Sequence, residues 1–511
     1  MSAKTAQFQS ALARAGFYAG PLAAALLLVF GDLVPGKPAV TRMAAVAVLI
    51  AVWWLTEAIP LAATSLVPLL ALPLLGIADG KATAQQYFNS TIVLFLGGFL
   101  IALAMERWNL HRRVALWILR RVGASPGRLL LGFMLATGAL SMWISNTATA
   151  MMMVPIAMAL IQRLEAGETP GIERYRIGIL LGIAYGASIG GMGTLIGTPP
   201  NLILQQVYST SFPTAPAIGF GQWVLFGAPV AAAMGLLAWS LLTLRFARGT
   251  RSLGVNLETL EREHAGLGRM SREEIAVAVV FVLAALLWLT RSDLRLGGTT
   301  LPGWGAPFAR LSGGEAKWIS DGTVAISMAL LLFLIPAREG QRILDREVFA
   351  RLPWGVVLLF GGGFALAYGF RVSGLAAWLG QGLAGARTLP PVLLVALICL
   401  ALTFLTELTS NTATTQMILP ILAGLATAMR VHPLLLMLPA TLSASCAFMM
   451  PVATPPNAIV FGTERLSIRQ MARAGLALNL MGVVVITAAV WLLAPRVFGA
   501  DFLSLPSWTG G

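Results

Sequence analysis

The 511-residue chain is 57% hydrophobic and only 11% charged, with a mean hydropathy of +0.81. A soluble globular protein carries about a quarter charged residues, so this chain cannot cover itself with a water-facing surface. Its net charge of +14 lies in short loops between apolar runs, where Lys and Arg fix membrane topology, and this argues against a nucleic-acid partner.

Apolar stretches of about 20 residues, each able to cross a hydrocarbon core of about 30 Å, predict membrane helices at 17–34, 40–58, 61–78, 90–107, 176–205, 222–244, 274–290, 321–336, 354–370, 436–462 and 476–495. Lys4 and Arg14 precede the first span without a small-residue cleavage site, so it reads as a retained helix. Two further blocks, 128–162 and 389–428, are too long for one span and polar at their centres. Each is expected to be a re-entrant hairpin. The fold class is therefore an all-α polytopic membrane protein with 11 transmembrane helices and two hairpins.

With the N-terminus in the cytoplasm, inside loops collect about 24 of the Lys and Arg residues. They include Arg107, Arg112, Arg113, Arg120, Arg121 and Arg128 after the fourth span, and Arg245, Arg248, Arg251, Arg262, Arg269 and Arg272 after the sixth. An inner-membrane protein with a periplasmic C-terminus is expected. Cys399 and Cys446 lie in apolar segments and form no metal or disulfide pattern. His111, His264 and His432 fall in or beside predicted loops, which leaves no buried histidine relay.

The chain repeats itself. Phe95-Leu-Gly-Gly-Phe99 recurs as Phe360-Gly-Gly-Gly-Phe364, and Ser145-Asn-Thr-Ala-Thr149 as Ser410-Asn-Thr-Ala-Thr414. Pro155-Ile156 recurs as Pro420-Ile421, and Thr198-Pro-Pro-Asn201 as Thr454-Pro-Pro-Asn457. Four matches in one order, at offsets near about 265 residues, mark a duplication. The first half spans 1–245 with hairpin 128–162 and broken helix 176–205; a cytoplasmic linker covers 246–273; the second half spans 274–511 with hairpin 389–428 and broken helix 436–462. Each copy holds five crossings, an odd number, so the second copy is expected upside down. Inverted repeats with broken helices are the signature of secondary transporters.

Ser, Asn and Thr are ordinary N-caps, yet a helix N-terminus with such donors at membrane depth is also an anion site. Two copies of Ser145-Asn146-Thr147, the other being Ser410-Asn411-Thr412, favour the ligand site. The paired prolines of the two TPPN motifs are expected to break their helices and free carbonyl oxygens, for which a sodium ion is a fitting partner. No Lys or Arg lies inside these clusters. A dianion there needs compensation, and co-bound cations supply it. Glu57 and Glu407 are the main acidic residues nearby.

The paired SNT and TPPN motifs, with Trp53-Trp54-Leu-Thr-Glu57-Ala-Ile-Pro60, resemble the divalent anion/sodium symporter family over roughly residues 17–495. The resemblance implies a homodimer, a scaffold and a moving transport domain in each protomer, and an elevator motion. It implies substrate contacts from Asn146, Thr147, Asn411, Thr412, Thr198, Pro199, Thr454 and Pro455. One sodium site would use Ser141, Ser145, Asn146 and Gly197, the other Thr406, Ser410, Asn411 and Ala453. Stretches 108–123 and 371–386 are similar to the family's interfacial helices.

The expected function is thus sodium-coupled import of C4-dicarboxylates such as succinate, malate and fumarate. The alternatives are a dicarboxylate or 2-oxoglutarate/malate exchanger, or a citrate or sulfate transporter. A channel would show a ring of like charges, and an intramembrane metalloenzyme or aspartyl enzyme an HExxH or an Asp pair; none of these patterns occurs.

Overall fold

The computed structural model describes residues 3–509 except 124, 167–170, 248–257, 297–298, 312, 316–317, 384 and 386–387. Arg248 and Arg251 of the linker therefore lie outside the described residues. Among the described residues the protein is nearly all helical, and nine helices are long and apolar enough to cross a membrane.

Helix α1 (Ala3–Phe30) packs on α2 (Pro38–Thr56). The span expected at 61–78 is split into α3 (Leu61–Thr64) and α4 (Val67–Leu74), because Pro68 opens a new helix there. After α5 (Gly80–Gln85), α6 (Ser90–Arg107) starts where the Asn89 side chain accepts from the Thr91 and Ile92 N–H groups. Asn109, in left-handed backbone at φ 56°, turns the chain into the amphipathic α7 (Leu110–Val122). The first half continues with α8 (Pro126–Ser141), α9 (Asn146–Ala166), α10 (Ile172–Gly191), α11 (Pro199–Ser211) and α12 (Phe220–Leu242).

Helix α13 (Glu258–Gly266) lies in the linker. A Ser271–Glu274 capping box starts α14 (Arg272–Arg291). A small hairpin pairs β1 (Leu294–Leu296) antiparallel with β2 (Thr299–Leu301), Leu294 opposite Leu301. There follow α15 (Gly305–Leu311), α16 (Asp321–Leu334), α17 (Val348–Arg351), α18 (Trp354–Ser373), α19 (Leu375–Gly382), α20 (Pro391–Leu405), α21 (Asn411–Met429), α22 (Leu434–Ala444), α23 (Pro455–Phe461), α24 (Ile468–Leu492) and α25 (Ala494–Phe498).

Expected and observed helices agree closely at 40–58, 90–107, 222–244 and 274–290. The last span begins eight residues early, at Ile468, because Ser467 and Gln470 form a capping box there. The amphipathic stretch 371–386 is cut shorter: residues 371–373 finish α18, and Gly374 at φ 81° starts a separate α19. Two of the histidines expected at loops sit in helices, His111 in α7 and His264 in α13.

Ion pairs gather the basic loops at one end of the molecule. Arg107 pairs with Asp345 at 2.6 Å, Arg113 with Glu274 at 2.9 Å, and Arg351 with Glu106 at 3.4 Å. Glu165 accepts from both Arg176 and Arg465 at 2.8 Å, which ties the end of α9 to the segment after α23. The other loops surround a cavity of about 530 Å³ lined by residues of 208–222, 291–306, 432–434 and 498–508.

The two halves interlock reciprocally. Helix α9 of the first half packs on α23 of the second, and α21 of the second on α11 of the first. Helices α8 and α10 touch backbone to backbone: a Cβ on Gly190 would meet the Gly138 carbonyl oxygen at 2.2 Å. That contact sets Ser141, at the end of α8, beside Ala187 on α10.

Candidate functional site

The chain turns between α8 and α9 through Met142–Ser145, and between α20 and α21 through Thr406–Ser410. At the first turn the Ser141 hydroxyl donates to the Ala187 carbonyl at 2.7 Å and lies 2.5 Å from the Asn146 side-chain amide. At the second, the Thr406 hydroxyl donates to the Ala444 carbonyl at 2.9 Å and lies 2.5 Å from the Asn411 side-chain amide. The two turns are built alike.

The Asn146 amide reaches further. One of its terminal atoms lies 3.2 Å from the Gly197 carbonyl and 3.2 Å from the Ala187 carbonyl. With nitrogen there, its two hydrogens are shared among the two carbonyls and the Ser141 hydroxyl oxygen. With oxygen there, three acceptor oxygens gather around the Ser141 hydroxyl, more than its single proton can serve, and a cation would hold them together. Hard cations such as sodium favour such a ligand set.

Ser145 and Ser410 cap the helices that follow. Their hydroxyls accept from the Ala148 and Ala413 N–H groups at 3.2 and 3.5 Å. The hydroxyls of Thr147 and Thr412 are half-buried on the first turns of α9 and α21. Thr198 and Thr454 are the caps of α11 and α23, and the Thr454 hydroxyl accepts from Asn457 N–H at 3.4 Å. Gly197 and Ala453 are buried at the ends of the two breaks, Pro199 is half-buried and Pro455 is exposed.

The structure corrects the reading of the prolines. They do not interrupt a continuous helix and strip it of donors; they occupy the first positions of α11 and α23, where an N–H has no helical partner anyway. The carbonyls are freed instead by the unwound stretches before them. The buried Asn201 amide donates to the Thr194 carbonyl at 2.7 Å and the Gly191 carbonyl at 3.1 Å. Asn457 donates to the Ala447 and Met450 carbonyls, both at 3.0 Å. One asparagine thus holds each break from its own motif.

Glu57 and Glu407 part company. Glu57 is an exposed residue in left-handed backbone at the end of α2. Glu407 is buried beside Thr406, within the second turn. The sequence reading missed Ala187 and Ala444, whose contribution is a backbone carbonyl and leaves no side-chain signature. A signal was available: Ala187-Ser188 recurs as Ala444-Ser445, one residue off the offset of the TPPN pair.

Residues 22–496 match the family model described as the sodium:sulfate symporter transmembrane region. A sodium-dependent dicarboxylate transporter of Staphylococcus saprophyticus is 47% identical over 466 residues, covering 89% of this chain and 86% of that protein. One from Staphylococcus aureus is 45% identical over 498 residues, covering 95% and 92%. Among solved structures, the YdaH transporter of Alcanivorax borkumensis shares the fold at a TM-score of 0.52 and 16% identity, covering 87% of this chain and 98% of that one. MtrF of Neisseria gonorrhoeae does so at 0.56 and 14%, covering 81% and 85%. The chain belongs to the sodium:sulfate symporter family, a family of membrane transporters and not of enzymes.

Proposed function

We propose that this protein imports C4-dicarboxylates across the inner membrane together with sodium ions, by alternating access of the elevator type. The observation that carries the reading is the duplicated oxygen cluster: Ser141, Asn146, Ala187 and Gly197 in one half, Thr406, Asn411 and Ala444 in the other. Each cluster offers hydroxyl, amide and carbonyl oxygens and no charged base, which suits sodium. Ser145, Ser410 and the Ala453 carbonyl complete the two proposed sites.

The substrate carboxylates then lie against Asn146, Thr147, Asn411 and Thr412, with Thr198, Pro199, Thr454 and Pro455 around them. The N-termini of α9, α11 and α21 contribute about half a positive charge each. Bound sodium supplies the remaining compensation for a dianion. The naming of relatives at 45–47% identity as sodium-dependent dicarboxylate transporters supports this cargo.

The reading also takes the two turns as hairpins that re-enter the membrane, and the halves as inverted copies. The reciprocal packing of α9 on α23 and of α21 on α11 supports this. Met151 and Pro155 on α9, and Pro455 and Ala458 on α23, are exposed on the stretch leading from the clusters to the basic end. Such a face is expected when the site is open to the cytoplasm. The N-terminus is assigned to the cytoplasm, the C-terminus to the periplasm, and the assembly to a homodimer.

The test is uptake of labelled succinate into proteoliposomes with and without a sodium gradient. Saturable uptake that needs sodium is expected, with unlabelled citrate, aspartate and sulfate ranked by competition. Uptake indifferent to sodium but dependent on dicarboxylate loaded on the far side would replace symport by exchange.

A further inference from the structure

A second cavity, of about 570 Å³, lies at the end of the molecule opposite the basic loops, beside the C-terminal segment that carries Leu505. Three helix ends line it: α18 with Phe370 and Arg371, α21 with Thr427 and Arg430, and α11 with Ser211 and Phe212. The two cavities at this end differ in charge. The first is lined by Asp293 and Asp501, and its Arg291 is taken up by Asp321. The second has two arginines and, among the described residues, no acidic side chain. Both arginines are exposed, and neither reaches a carboxylate among the described residues.

The arginines are placed against two trends. Membrane proteins keep Lys and Arg at the cytoplasmic end, which here is the other one. Arg430 also closes α21 in left-handed backbone at φ 59°, a position that glycine usually holds. The negative ends of α18 and α21 each favour a base, yet both guanidinium groups keep donors to spare. That of Arg371 lies over the Tyr368 ring, 5.5 Å from its centroid. Stacking occupies the face of the guanidinium and leaves its edge free for an anion.

The remaining lining is mostly small and apolar, including Ala367, Ala376, Ala377, Pro420 and Ala423. Helices α19 and α21 touch backbone to backbone here: a Cβ on Gly424 would meet the Ala376 carbonyl oxygen at 2.0 Å. The small side chains that permit this contact also make the room beside it. Val372 and Leu383, at the two ends of the amphipathic stretch, are exposed, as residues that face acyl chains are. A free dicarboxylate or phosphate would satisfy the arginines and leave the apolar wall against water. A phospholipid satisfies both.

We infer that this cavity binds an anionic phospholipid, its phosphate held between Arg371 and Arg430 and its acyl chains against the apolar wall. The two arginines stand on separate helices, so the bound phosphate ties the end of α18 to the end of α21. Basic pockets between membrane helices recognise anionic headgroups in this way.

The test uses the full-length protein, purified in detergent and stripped of lipid. Neither sodium nor succinate is present, so the outcome does not depend on the transport reading. Saturating phosphatidylglycerol is expected to raise the melting temperature by about 1–3 °C. Phosphatidylcholine, which carries no net charge, should do so clearly less. Arg371→Gln and Arg430→Gly should each raise the phosphatidylglycerol concentration for half the effect about fivefold. Glycine suits the left-handed backbone at position 430, so that variant keeps the helix end and loses only the charged side chain. No rise in wild type, an equal rise with both lipids, or an undiminished response in either variant overturns the inference. So does a rise with glycerol phosphate that the two variants lose, because the occupant would then be a free anion.

Discussion

Phe95 and Phe360, which hold the same place in the two copies of the glycine-rich motif, meet edge to face with ring centroids 5.1 Å apart. The glycines after them turn toward the parts that carry the clusters. A Cβ on Gly98 would lie 3.3 Å from the end of the Ile196 side chain. One on Gly363 would fall 2.2–2.5 Å from the buried Gln416 side chain, whose amide donates to the Leu359 carbonyl at 2.8 Å. Gly363→Ala is therefore expected to cost about 1–3 kcal/mol or more by overpacking, and Gly98→Ala clearly less. Melting temperatures of the two variants in detergent check this; equal values would mean that α18 yields more easily than its packing indicates.

The hydroxyls divide by task. Ser141→Ala and Thr406→Val each remove an oxygen from inside a cluster, and should raise the sodium concentration needed for half-maximal uptake. Ser145→Ala and Ser410→Ala also remove a helix cap, worth about 1 kcal/mol, so they should lower the melting temperature as well. Sodium titrations of uptake with parallel melting curves separate the two effects. Unchanged sodium dependence in all four variants would show that the cations bind elsewhere.

Acid should loosen the C-terminal segment. His432, in the loop between α21 and α22, stacks on Phe502 with centroids 4.9 Å apart and touches the edge of Trp508. Burial pushes its imidazole down to about 4, against the pull of Asp501 in the other direction. In an unfolded chain the group titrates near about 6.5. Between these values the unfolded form binds the extra proton, so the contribution is complete above about pH 6.5 and is lost as pH falls toward about 4, by roughly 3 kcal/mol. Protease sensitivity of residues 499–509 should rise over that window in wild type and stay flat in His432→Phe.

Charge counting sets the response to voltage. If a dianion moves with more than two sodium ions, a net positive charge crosses, and each is worth about 2.3 kcal/mol per 100 mV. An inside-negative potential, imposed with potassium and valinomycin, should then speed sodium-driven succinate uptake. Rates indifferent to the potential would fix the coupling at two sodium ions per dianion.

Helix positions were largely legible in the sequence, because runs of about 20 apolar residues between basic loops have few other readings. The turns at Ser145 and Ser410 were legible because polar residues interrupt apolar blocks. What escaped depends on the backbone. Ala187 and Ala444 act through carbonyls, and a carbonyl is the same on every residue. The prolines of the TPPN motifs were placed correctly but given the wrong task, since only the fold shows that a helix begins at them. Glu407 was noticed, but the N–H groups its carboxylate accepts from, those of Phe448, Met449 and Met450, lie about forty residues away in a segment whose unwinding no periodicity announces.

The asparagines that hold the two breaks bear on which ion can enter. Asn201 and Asn457 each tie two backbone carbonyls before any cargo arrives. Cation oxygens at the edge of a break already fastened in this way spend little conformational freedom on closing around an ion, and they cannot move apart cheaply for a larger one. On the sodium reading, selection is then by radius: lithium meets oxygens set slightly too wide for it, and potassium must force them apart. Loosening the break with Asn201→Ala or Asn457→Ala should therefore erode the preference for sodium over potassium before it abolishes transport.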